Sequence, residues 1–313
     1  MKQVIKYFAV GFAWILAASI IGGCLTAGVE VVKMITEKAE WQWENIENGK
    51  GIWYREENGD VVFLGIRFGA NTEVKSGSVE YPVSEIRAMR LEAGVGELLV
   101  EAWELDYICV VYENIPETYE IRNRQGVLEI ERKENYFIWN SMFEKTPKIR
   151  ICVPATMEFD EVEVDSGSGN VKITGLTTER FHVDTGSGPV TVEHSYLGET
   201  SADTGSGFVN FEQVTAEHMV VDSGSGRVNV AGYLTGNCVF NTGSGSVNVE
   251  IYGEAEDYDI RADVGSGSLY LNGDKLKDTT IKNKHADNLL VFDTGSGRVS
   301  VEFKEAPDKA TTE

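Results

Sequence analysis

The sequence predicts an all-β protein, a single-stranded parallel β-solenoid behind an N-terminal transmembrane helix. Three observations predict it. Gly-Ser-Gly occurs seven times, with first glycines at Gly167, Gly186, Gly205, Gly224, Gly243, Gly265 and Gly295, at intervals of 19, 19, 19, 19, 22 and 30 residues. Each copy is flanked by apolar residues alternating with polar ones, the pattern of a half-buried strand. Residues 7–29 carry no charge over a length that suits a membrane span.

The elements follow in chain order. Residues 1–6 hold Lys2 and Lys6 ahead of the apolar run, so the amino terminus is expected in the cytoplasm and the rest of the chain outside. Residues 7–29 are expected as the span, and Trp41 and Trp43 follow at a distance that suits the outer interface. Two other readings compete. Ile21-Gly22-Gly23-Cys24 is similar to a lipobox, which would make Cys24 a lipidated anchor. A cleaved signal peptide is the second, although the run is long for one and no A-x-A site follows. Residues 30–85 are expected as a juxtamembrane linker, with a possible hairpin of Ile52–Glu56 and Val61–Phe68 joined through Asn58-Gly59.

The solenoid is expected over 86–303, with its regular repeats over about 161–303. Four residues after each first glycine stand Val171, Val190, Val209, Val228, Val247, Leu269 and Val299; two residues further stand Ile173, Val192, Phe211, Val230, Val249, Leu271 and Val301. Before each turn, Val164, Val183, Ala202, Val221, Phe240, Ala262 and Phe292 point the same way. Each unit is therefore strand, tight turn, strand and return loop. One unit cannot close a core, but stacking at ~4.8 Å buries a continuous column. A right-handed course is expected, because parallel crossovers nearly always take that hand. An antiparallel sandwich competes but would not need the same residue at the same offset seven times. A degenerate copy runs from Met89 to Val100 around Gly94-Val95-Gly96, and residues 101–160 read as a hairpin excursion beside this first rung. Residues 304–313 read as a frayed polar tail.

Composition narrows the function. The chain has 313 residues, 28 basic and 50 acidic, for a net charge of −22. Residues 1–35 carry +2, which leaves −24 for the part expected outside. Such a surface repels a polyanion, so no nucleic-acid partner is expected. Four cysteines at 24, 109, 152 and 238 contain no CxxC and are too few for a disulfide scaffold.

The order of features resembles one known family. A single amino-terminal span is followed by a degenerate Gly-x-Gly rung and an excursion ending in Lys148-Ile149-Arg150-Ile151-Cys152-Val153-Pro154. Then comes Phe159-Asp160-Glu161-Val162-Glu163-Val164-Asp165-Ser166-Gly167-Ser168-Gly169. This resembles the bacterial putative-adhesin family, a domain of unknown function built of β-strand repeats and common in Gram-positive membranes. The likeness covers roughly residues 86–303. Members often carry Gly-Ala-Gly or Gly-Val-Gly where this chain has Gly-Ser-Gly, which alters only the middle side chain. The resemblance implies a fold and an envelope location. No catalytic residue or cofactor comes with it.

Motifs that suggest chemistry have plainer readings. A phosphate cradle needs a Gly-rich loop feeding a helix, whereas all seven loops here feed strands, where glycine supplies backbone freedom for a sharp bend. The column Asp165, Asp184, Asp203, Asp222, Asn241, Asp263 and Asp293 reads either as a cation ladder or as a set of Asx turns, and Asn241 favours the second. His182, His194, His218 and His285 are not at ligand spacing, and no GxSxG elbow occurs. A disulfide between Cys109 and Cys152 is open, with no expected position of one opposite the other. Cys238 falls in an inward column and reads as a small buried hydrophobe.

The expectation is a non-enzymatic, cofactor-free, membrane-anchored module outside the cytoplasm, acting in adhesion or structure on an envelope polymer or protein. The alternative is an accessory of envelope-stress sensing that signals through its span to a membrane partner. A carbohydrate-active enzyme is a distant third, since the acids are spread evenly instead of paired in one cleft. The candidate contact surface is a polar strip outside the strand after the turn: Thr191, Asn210, Asn229 and Asn248 in one row, with Glu193, Glu212 and Glu250 beside them.

Overall fold

The computed structural model describes residues 55–57, 60–63, 66–68, 74–94, 96–132, 136–137, 146–277, 279–284 and 286–305. The expected span over 7–29, Cys24, Trp41, Trp43, His285 and residues 306–313 lie outside them. Among the described residues no helix is long and apolar enough to cross a membrane.

The chain divides into two compact units, Met1–Asn71 with Asn135–Asn140, and Thr72–Glu134 with Ser141–Glu313. The first contains a small sheet in which Arg55–Glu57 pairs antiparallel with Asp60–Phe63, and that strand with Ile66–Phe68. Tyr136–Phe137 joins it in parallel.

In the second unit, two strand columns run side by side. In spatial order, the first column stacks Val127–Arg132, Ala88–Glu92, Glu161–Ser166, Thr177–Thr185, Tyr196–Thr204, the end of Phe208–Ser223, Asn237–Thr242, Asn288–Thr294 and Tyr258–Val264. All are parallel. The second stacks Lys148–Pro154, Glu97–Trp103, Asn170–Thr174, Pro189–Glu193, the start of Phe208–Ser223, Arg227–Thr235, Ser246–Tyr252, Arg298–Lys304 and Ser268–Leu271, again parallel. Equivalent residues pair throughout, so Val190 lies on Val171 and under Val209. The inward residues form one buried column that includes Val164, Val183, Phe211, Val228 and Phe240. Phe181 meets Phe211 edge-on at 6.3 Å, and Phe240 stacks on Phe292 at 5.3 Å. Each such side chain contributes roughly 1.5–3 kcal/mol by leaving water.

The spatial order departs from the chain order at both ends. Asn288–Lys304 is inserted between the rung of Asn237–Tyr252 and that of Tyr258–Leu271. The intervals of 22 and 30 thus reflect a rung laid down before the one it covers. Packing explains the choice. Leu290, Phe292, Val299 and Val301 are fully buried between two rungs, while the outer rung offers Ala262 and Val264, each 8% exposed. Short antiparallel strands, Thr279–Ile281 and Asp274–Leu276, cover its free edges.

The other end corrects the reading of 101–160 as hairpins alone. Val127–Arg132 and Lys148–Pro154 form a further parallel rung outside Ala88–Trp103. Tyr119–Arg124 and Tyr107–Pro116 cap it in antiparallel fashion. Val74–Pro82, placed by sequence in the linker, pairs antiparallel with Tyr107–Pro116. This strand buries one side of Val79 and Tyr81 against the core and so belongs to the solenoid unit.

The turn glycines also act differently from the expectation. None of the Gly-Ser-Gly glycines has a positive φ. Their amides instead continue the ladder between rungs, as in Ser187 N–H to Gly167 O at 2.9 Å and Ser206 N–H to Gly186 O at 2.9 Å. A Cβ on Gly188 would lie 2.0 Å from the Gly169 carbonyl oxygen. Close approach of stacked turns, not left-handed backbone, demands glycine there. Positive φ falls instead at the return corners, at His194, Gln213 and His218.

Candidate functional site

The expected polar strip forms as one face. Lys172, Thr191, Asn210, Asn229, Asn248 and Ser300 follow one another in register on the outside of the second column. Asn248 Nδ2 donates to Asn229 Oδ1 at 2.9 Å, so the upper part of the row is a partial amide ladder. The neighbouring row runs Thr174, Glu193, Glu212, Ala231, Glu250 and Glu302. Its acids are largely neutralised in place: Lys172 Nζ sits 2.9 Å from Glu193, and Lys304 Nζ reaches Glu250 at 2.8 Å and Glu302 at 3.1 Å. The strip therefore presents amides and internally paired charges.

The first column carries the acidic row on its outside. Glu92, Asp165, Asp184, Asp203, Asp222, Asn241, Asp293 and Asp263 are neighbours in that order. Burial pushes the Asp203 carboxyl above the usual range, and the adjacent Asp222 charge adds to it; burial and Asp184 do the same to Asp165. Asn241 Nδ2 donates to Asp222 Oδ1 at 2.8 Å.

The Asx-turn reading is not what closes the turns. In several turns the next residue does so from inside: Thr185 Oγ1 donates to Gly188 O, the Gly245 amide donates to Thr242 Oγ1 and the Gly297 amide to Thr294 Oγ1, each at 3.0 Å, whereas Thr204 Oγ1 and Ser223 Oγ are buried without a partner among the described residues. The strand pleat explains this, since the Asp points out and the following Ser or Thr points in. Among the described residues no group of three His, Cys, Asp or Glu is placed to hold a metal ion.

The remaining candidates separate. His182 Nδ1 lies 2.6 Å from Ser201 Oγ on the next rung, whereas His194 and His218 stand exposed at return corners. Cys238 is buried at 1% exposure, and burial pushes its thiol up to about 11. Cys109 and Cys152 do face one another, correcting the expectation from sequence.

One surface escaped the sequence reading. The return corner carries Thr177, Tyr196, Thr215 and Tyr233 in register. A register shift between Glu212 and Val214 hides the row in the sequence, because Tyr233 stands one position earlier in its repeat than Tyr196 does. An aromatic recurring at nine or ten residues past the first glycine was the available signal.

These features define a repeat β-protein that offers long ruled faces. The chain belongs to the Toastrack DUF4097 family, whose model matches residues 110–288. Among solved structures it is similar to a "putative cell adhesion protein" from Clostridium sporogenes, at 17% identity and a TM-score of 0.40, covering 74% of this chain and 100% of that one. A "putative adhesin" from Parabacteroides distasonis matches at 16% identity and a TM-score of 0.44, covering 74% and 98%. A "putative lipid binding protein" from the same species matches at 17% identity and a TM-score of 0.49, covering 77% and 100%. No curated protein matches the chain.

Proposed function

We propose that this chain is an adhesion-type module of a bacterial cell envelope. Residues 7–29 hold it in the cytoplasmic membrane, and the solenoid stands outside, in contact with an envelope polymer or protein. The observation that carries this reading is the stacking of nine parallel rungs around one core. A solenoid of this kind presents identical outer groups every ~4.8 Å on a stiff surface, which suits a repeating partner better than a compact ligand. The uncharged run behind Lys2 and Lys6 and the acidic remainder support the topology.

The test is crosslinking in intact cells followed by mass spectrometry, with protease treatment of protoplasts in parallel. Adhesion predicts an envelope polymer or surface protein as the main product and cleavage of the solenoid from outside. A membrane signalling protein as the main product would favour the sensing role instead. Protection of the Gly-Ser-Gly region, while an exported control is cut, would overturn the topology.

A further inference from the structure

Among the described residues the three most exposed large apolar side chains are Trp103, Tyr196 and Tyr233, at 47%, 48% and 48%. Trp103 ends the strand Glu97–Trp103, Tyr196 opens Tyr196–Thr204 and Tyr233 lies near the end of Arg227–Thr235. Trp103 and Tyr233 each stand nine residues after the first glycine of their rung, and Tyr196 ten. Tyr196 pairs with Thr215 and Thr215 with Tyr233, so the two rings are two rungs apart, or about 9.6 Å. Thr177 precedes Tyr196 in the same row. Ring and threonine therefore alternate from Thr177 to Tyr233, and the next rung adds the half-buried Tyr252 beside Tyr233.

The rings are held in place. Tyr252 meets Tyr233 edge-on, with centroids 5.5 Å apart and planes at 79°. The Tyr196 hydroxyl donates to Glu217 Oε1 at 3.4 Å. Carboxylates fringe the line: Glu217 at Tyr196, and Glu250 and Glu212 near enough to Tyr252 to add to the effect of burial on its hydroxyl.

We infer that this corner binds an extended, uncharged, β-linked polysaccharide along the stacking direction, with Tyr196 and Tyr233 as stacking platforms. Two exposed rings with a threonine between them do not make the continuous apolar patch that a protein partner buries. They match a polymer that turns an apolar C–H face toward a ring once per disaccharide, a unit about two rungs long. Hydroxyls between those faces meet Thr215 and the carboxylates as donors. Glu217 and Glu212 repel an anionic polymer, which commits the site to an uncharged one. The inference rests on the adhesion reading and gives it a face and a polymer class.

The test is cosedimentation of the full-length chain, in mild detergent, with chitin, cellulose, insoluble amylose and purified cell wall. Expected is binding to chitin or cellulose and not to amylose, whose α-linked helix lacks the extended repeat. Tyr196→Ala with Tyr233→Ala should weaken that binding at least tenfold with an unchanged melting temperature, since both rings are half exposed. Tyr196→Thr with Thr215→Tyr keeps the composition but puts the rings on consecutive rungs, and should also lose binding; retention there would mean mere stickiness and overturn the inference. Binding to cell wall but to neither β-linked polymer, or loss only in the triple change of Asn210, Asn229 and Asn248 to Lys, would leave adhesion standing and sink this site. Binding to none of the four would sink this site and leave a protein as the adhesion partner.

Discussion

Cys152 lies directly opposite Cys109 in the antiparallel pairing of Lys148–Pro154 with Tyr107–Pro116. Both are free thiols, and both are raised above the ordinary cysteine range, chiefly by burial. Directly opposed residues of an antiparallel pair have Cα atoms about 4.5–5.5 Å apart, inside the range a disulfide bridges. Treatment with diamide should therefore form one intramolecular disulfide, each thiol giving up a proton and an electron to the oxidant. Such a bond ties the cap to the outermost rung and should stabilise the fold by about 4 kcal/mol for a loop of this length. Raised thiols make the reaction faster as pH rises. Mass spectrometry of peptides digested without reductant checks it, and alkylation of both Cys109 and Cys152 after full oxidation would refute it.

The acidic row should make stability depend on pH in an unusual direction. Asp203 and Asp165 have folded-state values above those of the unfolded chain, so the native state binds protons more readily. Stability then falls as pH rises through the window above the ordinary carboxylate value of about 3.9, and the deficit persists at neutral pH. Asp203→Asn removes one charge between two like neighbours and should raise the urea midpoint at pH 7. At pH 4 the gain should shrink. A lower midpoint for the variant at pH 7 would mean that the row is held by something other than its own repulsion.

Replacing Gly188 by Ala should cost about 2–3 kcal/mol, because the new methyl meets the Gly169 carbonyl at 2.0 Å and stacked rungs cannot separate locally. Ser187→Ala, one residue away and exposed, should be nearly neutral. Thermal melts of the two variants compare them, and equal melting temperatures would contradict the turn stacking.

Val228 and Asn229 are adjacent but face opposite ways, buried and half-buried. Val228→Asp puts an unpaired charge into the column and should cost about 4 kcal/mol or more, whereas Asn229→Asp should stay within about 1 kcal/mol. The latter keeps the Oδ1 that accepts from Asn248 Nδ2. Urea denaturation distinguishes them, and similar midpoints would mean a different strand register.

The inserted rung predicts an uneven response to truncation. Deleting 286–313 removes the neighbour of both Asn237–Tyr252 and Tyr258–Leu271. Limited proteolysis should then cut within 237–271, while the rungs from 161 to 223 stay protected. Cleavage confined to the last rung would fit a solenoid stacked in simple chain order.

Strand identity, inward columns and stacking register were legible in this sequence because they are periodic. A side chain at a fixed offset from Gly-Ser-Gly has only two faces to choose between, and the apolar residues at those offsets choose the inner one. Hence Val164, Val183 and Val221 could be placed without coordinates. The candidate strip was legible for the same reason, since Asn210, Asn229 and Asn248 share one offset. What tertiary structure decided is whatever depends on contacts between distant segments. The intervals of 22 and 30 give the lengths of the last loops but not the intercalation of Asn288–Lys304, which follows from burying Phe292 on both sides. The pairing of Cys109 with Cys152 crosses the excursion and has no local signature. The line of Tyr196, Thr215 and Tyr233 is hidden by one register shift, because an extra residue at the corner moves an aromatic by one place in sequence while leaving it in line in space. Periodicity determines what repeats; only packing of the folded chain decides the order of its ends and which corners come into line.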